Sequence, residues 1–293
     1  MVVSKNMIAA IYEDSKLLHE SILYTAKRTG FNSTLIEKDY FCSLILYHLY
    51  SDESNKLVFK GGTCLSKIHS DFYRLSEDLD FVIPISSNSS RSERSKLAKP
   101  LKNKIECLST EFQIFNVTEG LRGHNNSKQY IASVGYTSFV SSQTETIKVE
   151  IGLREELLED SLYKDAKTLL INPFSEKPAM PSILVHCMSL KEAYSEKVRA
   201  ALTRKKPAIR DFYDVDYAAQ YLDFNLYEPV FLEFIAVKLK MPGNDSIDVS
   251  EARRNLLKKQ INTELKTVLR SVDYEKFDLD RAFETVVKLS KHF

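Results

Sequence analysis

Two aspartates, Asp78 and Asp80, stand two residues apart in a stretch with the pattern of a buried strand. Residues i and i+2 of a strand point to the same face, so both carboxylates should share one side of a sheet. Leu79 and Phe81 should then face a core on the other side. Carboxylate oxygens are the ligands that hard divalent cations prefer, so the pair predicts a metal and polyphosphate site. A solvated strand end is the alternative for such a triplet by itself.

A glycine turn precedes the two aspartates. Gly61, Gly62 and Thr63 follow an apolar strand and open a short helix. Glycines let a phosphate approach the backbone, and the N–H groups at a helix start attract anions. An ordinary tight turn is the alternative. Arg74 and Ser76 add a cation and a hydroxyl next to the acids, and the combination favours phosphate chemistry.

Glu150 is the candidate for a third carboxylate. Phosphoryl chemistry with two metal ions usually needs one, because the ions bring four positive charges. Around it Ile147, Val149 and Ile151 alternate with polar residues, which predicts a strand with Glu150 on the face away from the core. A surface glutamate on a half-exposed strand is the alternative.

A lysine and two aspartates in the second half of the chain complete the set. Lys197 lies within the apolar stripe of a predicted helix, where a lysine is costly to bury unless it meets an anion. Asp211 and Asp214 are three apart and should share a helix face, from which either could orient Lys197 or the nucleotide sugar. The alternatives are a lysine that reaches solvent from the edge of the stripe and an Asp211 that caps its helix.

The elements that position these residues form a mixed α/β first half and a helical second half. Thr34 is a candidate cap for a largely apolar helix, whose first turn holds Glu37 and Asp39. The segment from Pro173 to Pro181 holds three of the eight prolines and predicts an interdomain connection. The expected domains are therefore 1–172 and 182–293. Predicted helices are 7–29, 34–50, 93–111, 189–204, 211–222, 228–240, 250–270 and 280–291; predicted strands beside those of the two motifs are 112–117, 129–139 and 145–153, and residues 52–55 are expected in a loop.

Composition favours a soluble intracellular protein. The chain has 293 residues with a net charge of +1, so nucleic-acid binding would depend on local patches. Its four cysteines are scattered without zinc spacing and are expected to be reduced core thiols in the cytoplasm. No signal peptide is evident at the N-terminus, and no apolar run approaches the ~20 residues of a membrane helix.

Two basic clusters could contact an RNA backbone. One is the segment 204–206 with Arg210, and the other is a helical stripe of Arg253, Arg254, Lys258 and Lys259. A solvated helix face is the default interpretation of such a stripe, and a contact to RNA phosphates is the more specific one.

The motifs in combination resemble the AbiEii/AbiGii toxin family. This family includes the MenT-type toxins and belongs to the DNA polymerase β-like nucleotidyltransferases. Two features depart from the usual superfamily pattern, since Thr63 stands where a serine is usual and the interval to Asp78 is longer than in the standard nucleotidyltransferases. The resemblance covers about residues 34 to 220. It is carried by Ile36-Glu37-Lys38-Asp39-Tyr40, Lys60-Gly61-Gly62-Thr63, Arg74-x-Ser76-x-Asp78-x-Asp80, Glu196-Lys197-x-x-Ala200 and Arg210-Asp211-x-x-Asp214.

The resemblance implies an α+β fold, with a polymerase β-like nucleotidyltransferase core around a mixed sheet and a C-terminal helical bundle. It implies transfer of a nucleotide from an NTP to an acceptor, a tRNA 3′ end in some members, with release of pyrophosphate. A cognate antitoxin protein would be the partner in a toxin–antitoxin or abortive-infection system. Asp78 and Asp80 would hold Mg²⁺, Lys197 would hold the triphosphate and Asp211 would complete the site. Substrate contacts would come from Lys60, Gly61, Gly62, Thr63, Arg74, Ser76 and Asp214.

Two other functions are compatible with the same residues. One is transfer of a nucleotide to a protein hydroxyl, and the other is a non-catalytic binding protein on this fold. The basic clusters favour RNA over protein as the acceptor. The presence of Asp78, Asp80 and Lys197 together argues against a non-catalytic protein. A monomer is the expected oligomeric state.

Overall fold

The computed structural model describes residues 10–51 and 56–293. Residues 7–9 of the first predicted helix and the predicted loop 52–55 lie outside this description. Backbone contacts divide the chain into two compact units, Met1–Met188 and Ser189–Phe293.

The first unit is built on a mixed seven-stranded sheet in the order β3-β4-β5-β2-β1-β7-β6. The central pairs β2–β5 and β1–β7 are parallel, whereas β1–β2, β3–β4, β4–β5 and β6–β7 are antiparallel. The strands are β1 (Val58–Lys60), β2 (Leu79–Val82), β3 (Phe115–His124), β4 (Gln129–Thr137), β5 (Thr144–Gly152), β6 (Leu162–Ala166) and β7 (Ile183–Cys187).

Helices of the first unit begin and end at recognisable caps. Asp14 caps α2, which ends before Gly30, whose φ of 82° is left-handed. Asn32 caps α3 by accepting the N–H of Thr34 at 2.8 Å, so the prediction that Thr34 is the cap is wrong. The helices are α1 (Ala10–Glu13), α2 (Ser15–Thr29), α3 (Ser33–Leu49), α4 (Gly61–Cys64), which continues as a π-helical turn (Leu65–His69), and α5 (Arg91–Glu111).

Helix α3 is buried, as its apolar sequence predicts, and its acidic residues make tertiary contacts rather than serving the helix dipole. Glu37 accepts hydrogen bonds from Ser138 Oγ and the Phe139 N–H, both at 2.6 Å. The Asp39 carboxylate lies 2.6 Å from the ammonium of Lys67, and both side chains are almost completely buried. These contacts tie α3 to the loop after β4 and to the π-helical turn.

The first unit ends later than the proline-rich segment predicts. Strand β7 pairs with β1 and β6, so residues 183–187 belong to the sheet and not to a helical domain that starts at residue 182. The segment from Pro173 to Pro181 is therefore a connection inside the first unit, and the boundary follows Met188. Strands β6 and β7 were not predicted from the sequence.

The second unit is helical throughout its regular structure. Helix α6 contacts α7 and α8, and α11 contacts both α7 and α6. A buried ion pair of 2.7 Å between Glu192 and Lys238 joins α6 to α8, and Phe212 stacks on Phe283 with ring centroids 5.8 Å apart. The elements are α6 (Leu190–Thr203), α7 (Ile209–Tyr221), α8 (Pro229–Leu239), α9 (Glu251–Gln260), a π-helical turn (Ile261–Leu265), a 3₁₀ turn (Lys266–Val268), α10 (Ser271–Lys276) and α11 (Leu279–Ser290).

Membrane crossing needs a helix that is both long and apolar. Within residues 10–51 and 56–293 no helix has both properties.

Candidate active site

The glycine turn and the second aspartate are in close contact. Gly61 follows β1 with a φ of +78°, a left-handed conformation that favours glycine. A Cβ at this position would lie 2.9 Å from Cβ and 3.0 Å from Cγ of Asp80, and closer still to its Oδ2. Gly61 is therefore required both for its backbone conformation and for the space that Asp80 occupies.

The absence of a side chain at Gly62 leaves space for Arg74 and Ser76. A Cβ on Gly62 would lie 2.8 Å from Nη2 of Arg74 and 2.9 Å from Oγ of Ser76. Arg74 is buried, its guanidinium lies 5.5 Å from the ring centroid of Tyr73, and its Nη1 donates to the carbonyl of Leu75 at 3.0 Å. The structure thus brings the glycine turn, Arg74 and Ser76 together, as the sequence predicts.

Thr63 is a buried residue whose hydroxyl donates a hydrogen bond to the backbone carbonyl of Asp78. This hydroxyl therefore fixes the backbone just before β2. What Thr63 can offer a phosphate is its backbone N–H. Asp78 itself is exposed.

Glu150 lies beside Asp80. Strands β2 and β5 are parallel and pair Asp80 with Glu150, while β1 and β2 pair Lys60 with Asp80. Residues paired across adjacent strands point to the same face, so Lys60, Asp80 and Glu150 form one row on three neighbouring strands. The Nζ of Lys60 also lies 3.6 Å from Oε1 of the buried Glu155.

Lys148 and Gln129 are part of this face and were missed in the sequence. The Nζ of Lys148 lies 2.5 Å from Oε2 of Glu150, and Nε2 of Gln129 donates to Oε1 of Glu150 at 2.6 Å. The signal for Lys148 was present, because it lies two residues before Glu150 on the same strand. Gln129 carries no such signal, since only the pairing of β4 with β5 brings it close.

The charges on this face shift the pKa values of the acids. Although Asp78 is exposed by surface area, the surrounding protein partly desolvates its carboxyl and raises its pKa, and the positive charges of Lys148 and Lys38 offset part of the rise. Burial also acts to raise the pKa of Glu150, but the hydrogen bond and charge of Lys148 outweigh it and leave that pKa lowered. Lys148 therefore stabilises the ionised acids.

The predicted residues of the second unit form one cluster. The Nζ of Lys197 lies 2.8 Å from Oδ2 of Asp214 and 3.2 Å from Oδ1 of Asp211. Both aspartates are buried on α7, and Arg204 places Nη1 3.0 Å from Oδ2 of Asp211. Both aspartates therefore contact Lys197, as one of the two roles predicted for them requires. Glu196, the neighbour of Lys197, lies 3.4 Å from the buried ammonium of Lys238.

Only some residues of the predicted basic stripe on α9 are exposed to solvent. Arg253 is buried and donates to the carbonyls of Ala201 and Arg204 near the end of α6, at 2.8 to 3.1 Å. Its assignment to an RNA-binding face is therefore wrong: it caps a helix C-terminus. Lys258 and Lys259 are exposed and remain candidates.

The predicted metal-binding residues of the first unit have the donor chemistry that a hard divalent cation prefers. Oxygen ligands suit Mg²⁺ better than they suit a soft metal, and Asp80 offers a carboxylate directly beside the glycine turn. Among the described residues, however, the carboxylates of Asp78, Asp80 and Glu150 do not come together as one group of three metal ligands. The register of β2 and β5 holds two of the three acids side by side.

Comparison with protein families settles which group of proteins this is. The family model described as nucleotidyl transferase AbiEii toxin, type IV TA system, matches residues 44–288. The chain belongs to this family. It is therefore an AbiEii-type nucleotidyltransferase toxin of a type IV toxin–antitoxin system, which implies a nucleotide substrate and an antitoxin partner, and the resemblance seen in the sequence is confirmed. Nucleotidyltransferases of this kind generally use divalent metal ions.

Solved structures share the fold of this AbiEii family member. MenT4, a nucleotidyltransferase toxin from Mycobacterium tuberculosis H37Rv, is 19% identical with a TM-score of 0.53, over 98% of this chain and 90% of MenT4. JHP933 from Helicobacter pylori is 14% identical with a TM-score of 0.52, over 89% of this chain and 92% of JHP933. A comparison with curated proteins gives no match.

Proposed function

We propose that this AbiEii family member transfers a nucleotide from an NTP to the 3′ end of a tRNA and releases pyrophosphate. The observation that carries the proposal is the packing of the Asp80 carboxylate on Gly61, in register with Glu150 on the next strand. This arrangement puts acids for a metal ion directly beside a turn that a triphosphate can approach.

Asp78, Asp80 and Glu150 are the residues that would hold Mg²⁺. When bound there, Mg²⁺ offsets the charge of the triphosphate and lowers the pKa of an attacking hydroxyl. Lys148 keeps the acids ionised through its positive charge, and Gln129 holds the second oxygen of Glu150.

The glycine turn and its neighbours are the proposed phosphate contacts. Gly62 and Thr63 offer backbone N–H groups, and Ser76 offers a hydroxyl that lies against Gly62. Gly61 keeps the space for Asp80 open. Arg74 and Lys60 contribute positive charge, which favours a polyphosphate over a neutral ligand.

Lys197 is the proposed cation for the leaving pyrophosphate. Its Nζ is held by Asp211 and Asp214, so its side chain has one fixed position and loses little entropy when it meets an anion. Asp211 and Asp214 act as positioning residues, with Asp211 completing the site. A charge held in place in this way stabilises the negative charge that develops on the leaving group.

Exposed lysines support RNA as the acceptor. Lys205, Lys206, Lys258 and Lys259 are all exposed in the second unit. Lysines of this kind bind a phosphate backbone without reading its sequence, and such binding weakens as salt rises.

The same proposal extends to the architecture. The sheet unit is a polymerase β-like core, and the helices after Ser189 fold as a bundle. We expect the protein to act in the cytoplasm as a monomer. Size-exclusion chromatography with light scattering checks the oligomeric state by measuring the mass of the particle.

The experiment compares the wild type with Asp80→Asn, which keeps the shape of the side chain and removes its charge. Each of the NTPs, labelled in turn, is incubated with protein and either total RNA or lysate treated with RNase, with Mg²⁺ present or removed by a chelator. We expect label on tRNA, dependence on Mg²⁺, and loss of both transfer and growth inhibition in Asp80→Asn.

The matched control is Asp165→Asn, because Asp165 is an exposed acid on β6 of the same sheet. It should transfer label at the wild-type rate. Label on protein in the RNase-treated lysate would replace tRNA by a protein hydroxyl as the acceptor. An Asp80→Asn variant that inhibits growth as strongly as the wild type would refute catalysis and favour a binding protein.

A further inference from the structure

Two cysteines and a histidine lie close together in the first unit. They are not part of the row that carries Asp80 and Glu150. Cys64 ends α4, His69 ends the π-helical turn and Cys187 ends β7. One side-chain nitrogen of His69 and the two Sγ atoms all lie within 4.8 Å of one another. Both cysteines are completely buried, and His69 is half-buried. The sequence predicts only scattered core thiols here, because the spacing of 64, 69 and 187 matches no zinc motif.

One ring nitrogen of the histidine is held by a hydrogen bond to the backbone. Its Nε2 lies 3.0 Å from the backbone carbonyl oxygen of Met188. A carbonyl oxygen only accepts, so Nε2 carries the proton and the lone pair of the imidazole is on Nδ1. Histidines that bind metals typically donate their other ring N–H to a carbonyl or a carboxylate in this way, which fixes the tautomer and the ring plane.

The carbonyl that orients His69 is itself fixed by the sheet. The N–H of Met188 donates to the carbonyl of Phe59 at 2.9 Å, where β7 runs parallel to β1. The imidazole is thus anchored to the same strand pair that positions Cys187. A metal would tighten this cluster only slightly, since ligand atoms around a tetrahedral zinc ion lie about 3.5 to 3.8 Å apart.

Cys42 shows what an ordinary core thiol looks like in the same unit. It is completely buried on α3, and its Sγ donates to the carbonyl of Glu77 at 3.9 Å. It is not part of the Cys64, His69 and Cys187 group. A disulfide between Cys64 and Cys187 would need no histidine, whereas a metal site uses all three residues.

We propose that Cys64, His69 and Cys187 bind one thiophilic divalent cation, Zn²⁺, with a solvent molecule as the fourth ligand. Thiolate and imidazole ligands select zinc over magnesium, so this site and the carboxylate site take different metals. Binding releases the two thiol protons to solvent, and the two thiolates balance the charge of the ion, which leaves a neutral buried centre.

The position of the site indicates what it does. Cys64 directly follows Gly61, Gly62 and Thr63, and Cys187 lies on the strand next to β1. The bound ion would fasten the end of the glycine turn to the sheet behind it. Because metal binds the folded state and not the unfolded chain, it should raise the thermal stability of the first unit.

The test measures metal and not activity. Full-length protein is purified without chelators from cells grown with added zinc, and its metal content is determined by mass spectrometry. We expect one zinc per chain in the wild type. The zinc content should fall at least about tenfold in Cys64→Ser, Cys187→Ser and His69→Gln. Cys42→Ser and Cys107→Ser, a buried and an exposed cysteine outside the cluster, should keep the wild-type content.

Cobalt(II) gives a second readout on the wild type, which avoids any variant that folds poorly. One equivalent should produce the charge-transfer absorption of cobalt bound to thiolates, and zinc should displace it. A wild type that holds no zinc and takes up no cobalt overturns the proposal. So does a mass spectrum that shows a Cys64–Cys187 disulfide in the freshly purified protein. None of these results depends on nucleotide transfer.

Discussion

Replacing Gly61 by alanine tests whether the close contact of the glycine turn with Asp80 on β2 is needed for activity. The added methyl group would lie 2.9 Å from Cβ of Asp80, whereas ordinary van der Waals contact begins at 3.4 Å. Rotation of the carboxylate cannot relieve this contact, because the position of a Cβ is set by the backbone. The strand that carries Asp80 must therefore shift by about 0.5 Å, which is the tolerance within which catalytic groups have to be held.

The expected losses differ in size between stability and activity. The φ of +78° at Gly61 costs an alanine ~1–2 kcal/mol, and the smaller entropy of its unfolded chain offsets ~0.4–1 kcal/mol of this. The free energy of unfolding should thus fall by only about 1 kcal/mol, with some addition from the contact. A misplacement of 1 Å can cost ~100-fold in rate, so a shift of half that size should slow transfer about 10- to 100-fold.

The assay measures initial rates of labelled-nucleotide transfer and thermal unfolding on the same preparations. The control is Gly120→Ala, since Gly120 on β3 has no heavy atom within 4 Å of the added Cβ and no left-handed φ. We expect Gly120→Ala to transfer at the wild-type rate. A Gly61→Ala variant with wild-type transfer, or a loss that Gly120→Ala shares, would refute the reasoning.

Three further predictions concern charged residues. Asp39→Ala leaves the ammonium of Lys67 buried without its carboxylate, so chemical denaturation should show a loss of ~3–5 kcal/mol, and adding Lys67→Met should restore most of it; a loss below about 1 kcal/mol would contradict this. Lys148→Met removes the cation among three acids, so Mg²⁺ should raise the melting temperature more in the variant than in the wild type; equal shifts would show that Lys148 does not offset these charges. Arg253→Met should lower the free energy of unfolding by ~2–3 kcal/mol without changing the salt dependence of RNA binding, whereas Lys258→Met should do the reverse; weaker salt dependence in Arg253→Met would return that residue to the RNA surface.

The parts of the fold that follow from local periodicity could be predicted from the sequence. The alternation around Glu150 predicted both its strand and its face, and the pairing of β2 with β5 places it beside Asp80. The two-residue spacing of Asp78 and Asp80 predicted one strand for both, and the structure has Asp80 on β2 but Asp78 just before its first residue, Leu79. In each case the side-chain direction depends only on neighbours in the chain, so a single sequence contains the information.

Strands β6 and β7 depend on long-range pairing and were missed. Residues 183–187 form a short apolar run, which periodicity alone cannot distinguish from the start of a helix. The run is a strand because β1, more than a hundred residues earlier, offers it a parallel partner at Phe59. The same pairing brings Cys187 to Cys64, which is why their spacing in the sequence gave no sign of a shared site.

The packing between helices could not be predicted from the sequence either. The stripe on α9 identified which residues share a helix face, but not what lies against that face. In the structure the end of α6 lies against Arg253, whose guanidinium takes the carbonyls that a helix C-terminus leaves without partners. A helical pattern therefore predicts a direction for each side chain and leaves its environment to the tertiary fold.

The long interval between Thr63 and Asp78 is one of the two departures from the usual superfamily pattern, and the structure shows how the fold accommodates it. The interval is a closed loop: Ser66 Oγ donates to the carbonyl of Arg74 at 2.6 Å, and the N–H of Phe72 donates to the carbonyl of Ser66 at 2.9 Å. Phe72 turns the chain with a left-handed φ of 57°. The chain therefore returns to its starting point, where the Thr63 hydroxyl meets the Asp78 carbonyl. Because loop length costs little once the ends are fixed, the extra residues leave Gly61 and Asp80 in contact.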